Sequence, residues 1–176
     1  MYRTISTLVA AASLALSTPA LAQSVSYDYD RSTDFSRLKT YAWVPGTNLK
    51  DELNHKRIMD AVDAQLRAKG FTRVEASGNP DVLVAYHASF SQNLEINGWG
   101  GYRWGPGARS ARVEQVVVGT LVVDMVNARS KTIVWRGIAS KELDPDASPE
   151  KRDKNINKAA EKLFKKYPPT THPPID

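Results

Sequence analysis

The stretch Asn97-Gly-Trp-Gly-Gly-Tyr-Arg-Trp-Gly-Pro-Gly107 holds five of the chain's ten glycines and two of its four tryptophans. The rings of Trp99, Tyr102 and Trp104 suit stacking on a sugar ring or on a partner's apolar surface. Arg103, Arg109 and Arg112 beside them suit carboxylate or phosphate groups. Tryptophan, tyrosine and arginine are also the residue types that dominate interface energies. The competing expectation is a long hairpin loop whose rings fold back over the sheet edge. These six residues are the candidate ligand or partner site, and loss of association against loss of stability separates the two readings.

The other reactive side chains form no constellation. His55, His87 and His172 have no metal-ligand spacing, so neither a metal nor any cofactor is expected. Asp28, Asp30 and Asp34 are spaced like calcium-loop carboxylates but lack the glycine and terminal glutamate of such a loop. With no cysteine and no Gly-x-Ser-x-Gly turn, neither familiar nucleophile signature is present. The glycines join two strands and lack Gly-Lys-Ser/Thr, so they form no phosphate-binding loop. No catalytic residue is expected, and the chain is read as a non-enzyme. Asp124 and Arg136 are expected to form a structural ion pair, and Trp43 and Trp135 to anchor the core.

The elements around the loop follow from hydrophobic period. Val25, Tyr27 and Tyr29 alternate with polar residues as in a half-buried strand, and 39–44 reads as a second. Ile58, Ala61, Val62 and Leu66 place one apolar stripe on a helix over 54–69, closed by Gly70. A short strand at 71–74 follows. Three long strands then cover 81–96, 112–127 and 131–143, the last two joined by a hairpin at Asn127–Ser130 whose register the sequence leaves open by one residue. Ser148-Pro149 starts a second helix of about 18 residues, with a polar cap and then a residue preset for the first turn. Its stripe is Ile156, Ala159, Ala160, Leu163, Phe164 and Tyr167.

The expected fold is α+β: a twisted, mainly antiparallel sheet of about five or six strands with two helices packed on it, in the order ββαβ-βββα. Trp43, Ile58, Val62, Leu66, Val84, Tyr86, Leu121, Val123, Trp135, Leu163 and Phe164 are expected in its core.

Residues 1–22 read as a cleaved signal peptide. Arg3 gives the positive start, Leu8–Leu16 the apolar run, and Pro19-Ala-Leu-Ala22 the small residues before the cut. A periplasmic or secreted chain beginning at Gln23 is expected, with one domain over 23–169 and a flexible proline-rich tail over 170–176. Without cysteine it gains no disulfide and no lipid anchor, and after the signal no segment approaches the roughly 20 apolar residues of a transmembrane helix.

The net charge is +5, and Glu150–Lys166 alone carries +4. That basic helix face, with Lys158, Lys162 and Lys165, could meet anionic lipid, lipopolysaccharide or cell-wall polymer. The plainer alternative is a solvated face balanced by the i,i+4 pairs Glu150–Lys154 and Glu161–Lys165. The exported compartment and the modest charge argue against nucleic acid.

Three stretches resemble a family of exported bacterial proteins, DUF4136, a domain of unknown function. They are Tyr29-Asp30 with Asp34-Phe-Ser36 and Lys39-Thr-Tyr-Ala-Trp43; Asp81-Val-Leu-Val-Ala-Tyr-His87; and Gly119-Thr-Leu-Val-Val-Asp124 with Val134-Trp-Arg-Gly137, closing on Lys166-Tyr-Pro-Pro169. The resemblance implies an α+β domain of the cell envelope and transfers no catalytic residue. Many relatives look like lipoproteins, and this chain departs from them in lacking the cysteine. The reading is a non-catalytic envelope protein that binds or scaffolds another envelope protein or polymer through the 97–112 loop. The alternatives are the anionic-surface binder above and an enzyme with an unrecognised site.

Overall fold

The structure, a computed structural model, describes residues 23–46, 51–97 and 112–169. The expected signal peptide, the tip of the glycine-rich loop and the proline-rich tail lie outside the described residues.

Six strands form one sheet in the spatial order β1-β6-β5-β4-β2-β3. They are β1 (Ser24–Tyr29), β2 (Thr40–Trp43), β3 (Thr72–Arg73), β4 (Val82–Asn97), β5 (Arg112–Asn127) and β6 (Ile133–Leu143). Helix α1 (Glu52–Ala68) lies between β2 and β3, and α2 (Pro149–Phe164) follows β6. The chain order and the α+β class are those expected from the sequence.

The pairings of β1 with β6, β6 with β5 and β5 with β4 are antiparallel. β2 runs parallel to both β3 and β4. The sheet is therefore mixed, because α1 returns the chain to the starting end of β2 and forces β3 into the same direction.

Both helix starts follow side-chain chemistry. Asp51 accepts a 3.0 Å bond from the Asn54 amide, and Ser148 a 3.3 Å bond from the Lys151 amide ahead of Pro149. α1 stops at Gly70, whose φ of +85° suits glycine. Phe71 N–H then donates to the Leu66 carbonyl and Gly70 N–H to that of Arg67, a Schellman closure. This closure carries Phe71 into the core beside Leu66.

The helices cover one face of the sheet. Val82, Val84 and Tyr86 of β4, Leu121, Val123 and Met125 of β5, and Trp135 of β6 are buried under them. Phe164 stacks on Trp135 with ring centroids 5.0 Å apart, and Tyr167 meets the same indole edge-on at 5.7 Å. Every residue expected in the core is buried except Trp43, which is half-buried against it. Trp43 donates its Nε1–H to the buried Asp63 of α1 at 2.7 Å.

The 133–143 strand is fixed in register by Asn127, whose N–H donates to the Thr132 carbonyl. A bulge beside it pairs Met125 with Trp135 and Val126 with Ile133, which resolves the one-residue ambiguity of the sequence. On the sheet's other face, Arg136 grips Asp124 through two bonds of 2.6 and 2.7 Å, the ion pair expected from the paired strands.

β4 and β5 stay paired from Val82–Asn127 out to Asn97–Arg112. β6 accompanies them only as far as Val117. Beyond that point the hairpin continues as two strands alone toward the glycine-rich segment.

A cationic apolar cleft at the root of the hairpin

The helices do not fill the layer above the sheet completely. A cleft of about 330 Å³ opens between the N-terminal halves of α1 and α2, above the root of the β4–β5 hairpin. This is the lower end of the size range of small-molecule sites, about 300–1,000 Å³.

Two rows across the sheet form the floor. One runs Ala88–Leu121–Ala139, and the next runs Phe90–Gly119–Lys141. Small residues in these rows leave the space: Ala88, Gly119 and Ala139 lie where the other half of the layer has Tyr86, Trp135 and Tyr41. A Cβ at Gly119 would stand 2.5 Å from Leu143 Cδ1, so a larger residue there would push the Leu143 side chain aside. Ile58 of α1 and Ile156 and Ala159 of α2 form the walls. Phe90 stands at the mouth with 61% of its surface exposed.

Lys141 carries the main charge inside this apolar frame. Alternation along β6 puts it on the helix-facing side with Ala139 and Leu143, half-buried. Its ammonium donates a 2.7 Å bond to Oδ1 of Asn155, a neutral partner. Burial, then the charges of Lys158, Lys151 and Lys162, hold this ammonium below the usual lysine range. Arg152, also at the cleft, bonds the carbonyls of Ala147 and Pro145. The nearby carboxylates are already engaged: Asp51 caps α1, and Asp144 pairs with Lys151 at 2.8 Å. The site therefore combines apolar walls with a lysine whose hydrogen-bond partner is the neutral Asn155, while Asp144 at its rim interacts with Lys151 and Arg152.

Of the residues singled out in the sequence, Trp99, Tyr102, Arg103, Trp104 and Arg109 lie outside the described residues. Arg112 opens β5 at the far end of the hairpin. Lys158 and Lys162 reach the neighbourhood of Lys141, whereas Lys165 ends α2 and lines a separate shallow pocket with Tyr27 and Lys166. Among the described residues, neither Glu150–Lys154 nor Glu161–Lys165 closes to ion-pair distance, and Lys151 reaches back to Asp144 instead.

His87 stands half-exposed on the opposite face, 3.8 Å from Asp124. Asp30 and Asp34 accept bonds from Ser32, Thr33 and Ser36. Among the described residues no three His, Asp or Glu side chains gather as metal ligands. Lys141, Asn155 and Arg152 were not apparent as a group from sequence. The one signal is a lysine in the apolar register of a strand, which becomes readable once Trp135 fixes which face is buried.

The model of the family described as "Domain of unknown function (DUF4136)" matches residues 25–169. The chain belongs to the DUF4136 family. No curated protein matches its sequence.

Among solved structures, the DUF4136 domain is similar to a PDZ domain protein from Parabacteroides distasonis, with a TM-score of 0.55 and 16% identity over 85% of this chain. The chain spans 37% of the length of that protein. It is also similar to the PelC dodecamer from Paraburkholderia phytofirmans (TM-score 0.46, 13% identity, 81% of this chain and 96% of that one). Lipoprotein GNA1162 from Neisseria meningitidis gives a TM-score of 0.44 at 11% identity, over 72% of this chain and 98% of that one. At these identities the first likeness is one of fold alone.

Proposed function

We propose that this DUF4136 domain is a non-catalytic binding protein of the bacterial cell envelope, acting in the periplasm or outside the cell after removal of residues 1–22. Its binding face is the end of the molecule where the cleft meets the hairpin root. The observation that carries this reading is the cleft itself, apolar, open and edged by Lys141 and Arg152. It lies on the hairpin that leads on to the Gly/Trp/Arg segment. Tryptophan, tyrosine and arginine, the residue types of that segment, are the usual anchors of a specific interface.

A second reading, adhesion to an anionic surface through α2, is favoured by the closeness of Lys158, Lys151 and Lys162 to Lys141. The two readings differ in salt dependence, because exposed charges lose most of their reach above about 0.1 M salt. The test is co-sedimentation of the chain from Gln23 with outer membranes and with cell-wall sacculi, at low and high salt. Binding that survives salt and falls at least tenfold in the Trp99→Ala/Trp104→Ala variant is the expected result. Binding that disappears in salt and in Lys158→Gln/Lys162→Gln/Lys165→Gln would establish the surface reading instead. Failure to sediment with either fraction would refute both.

A further inference from the structure

The cleft has a chemistry more specific than a generic contact surface. Its apolar lining comes from all three central strands and both helices, so a ligand there leaves water on several sides at once. Its volume of about 330 Å³ suits one hydrocarbon chain, near the bottom of the range for ligand sites, and is small for a two-chain lipid.

At one side of this apolar space, Lys141 offers a half-buried ammonium whose hydrogen-bond partner is neutral. Asn155 accepts from Lys141 through Oδ1, which leaves its Nδ2 group as a second donor beside the ammonium. Two adjacent donors match the two oxygens of a carboxylate.

We infer that the cleft binds a single-chain fatty carboxylate, its chain lying over Ala88, Leu121 and Ala139 between Ile58 and Ile156 and its head on Lys141 and Asn155. This inference rests on the reading of the chain as a binding protein and names the ligand class of that site. A cationic head of the same chain length would set a like charge against Lys141. The empty floor also gives a way to block the site: Ala139→Leu fills it from the sheet, and Ala159→Leu fills it from α2.

The probe is dodecanoate, titrated calorimetrically into the chain from Gln23 well below its micelle concentration. Dodecyltrimethylammonium serves as the charge control, butanoate as the chain-length control and phosphatidylglycerol vesicles as the membrane control. Saturable one-to-one binding of dodecanoate is expected, with the cationic analogue and butanoate at least tenfold weaker. Lys141→Met, which keeps the apolar stem, should weaken dodecanoate at least tenfold. Whichever of Ala139→Leu and Ala159→Leu keeps a cooperative thermal transition should bind none.

Equal affinity for the cationic analogue, unchanged affinity in Lys141→Met, or unchanged affinity in a folded filled variant would each overturn the inference. So would association with the vesicles alone, which would make the site a membrane-surface contact. Sedimentation with envelope fractions is read separately. A chain that binds dodecanoate but sediments with nothing sustains this inference and overturns the envelope-partner reading.

Discussion

Asp63 shows how much of the domain depends on one inward-turned polar residue. It sits on the buried stripe of α1 and accepts from the Tyr41 hydroxyl and the Trp43 indole, each at 2.7 Å, and from Arg73 at 3.0 Å. One carboxylate thus joins β2, α1 and the end of β3. Asp63→Ala removes the acceptor from two donors that remain in or near the core, a loss of roughly 3 kcal/mol. Urea denaturation checks it, and Asp63→Asn, which keeps one acceptor oxygen, should recover part of the loss. The apolar period places Ile58, Val62 and Leu66 on the stripe, but it cannot show which polar neighbour is turned inward with them. The same limit applies at Lys141. A lysine in a strand reads as solvent-facing by type, and only the burial of Trp135 shows that its side of β6 faces the helices.

Among the elements, the sites that hold β2 against β4 lie at the start of each strand. Asp81 accepts from the amides of Lys39 and Thr40 and from the Thr40 hydroxyl, all at 2.9 Å. The Lys39 amide first, then the Thr40 groups, hold its carboxyl below the usual range. A carboxyl depressed in the folded state stabilises the fold above the unfolded value, about 3.9, and loses that contribution as pH falls through the lower folded value. Asp81→Asn should therefore cost about 1 kcal/mol at neutral pH. It should also flatten the fall of thermal midpoint between about pH 5 and pH 2, where wild type loses this contribution. A scan of midpoint against pH checks both. Element type and order were legible because capping residues and apolar periods agree along the chain: Gly70 closes α1, and Ser148-Pro149 opens α2. The mixed sheet was not legible, since nothing local in the four residues of β2 distinguishes a parallel from an antiparallel neighbour. The cleft was not legible either. Ala88, Gly119 and Ala139 are scattered small residues until the registers set them in adjacent rows.

Over the whole molecule, the two ends of the helical layer differ. One is packed with Trp135, Phe164, Tyr167 and Tyr41, and the other is left open above small residues and edged with cations. A domain selected for packing alone gains from filling such a space, because each apolar group without neighbours loses contact energy. Open space at the root of the hairpin fits a domain that trades some packing for a ligand. The basic charge of the chain has a place in the same picture. It is concentrated in α2, and part of it surrounds Lys141. Fold resemblance cannot supply the activity, since one architecture serves many unrelated roles. The central claim is that this end of the molecule is the binding seat. A proton–nitrogen NMR titration of the chain from Gln23 with dodecanoate tests it most directly. The account expects saturating shifts at Ala88, Leu121, Ala139, Lys141, Asn155 and Ile156, with the Asp124–Arg136 face unmoved. Shifts confined to Tyr27 and Lys165, or spread without saturation along the exposed side of α2, would contradict it.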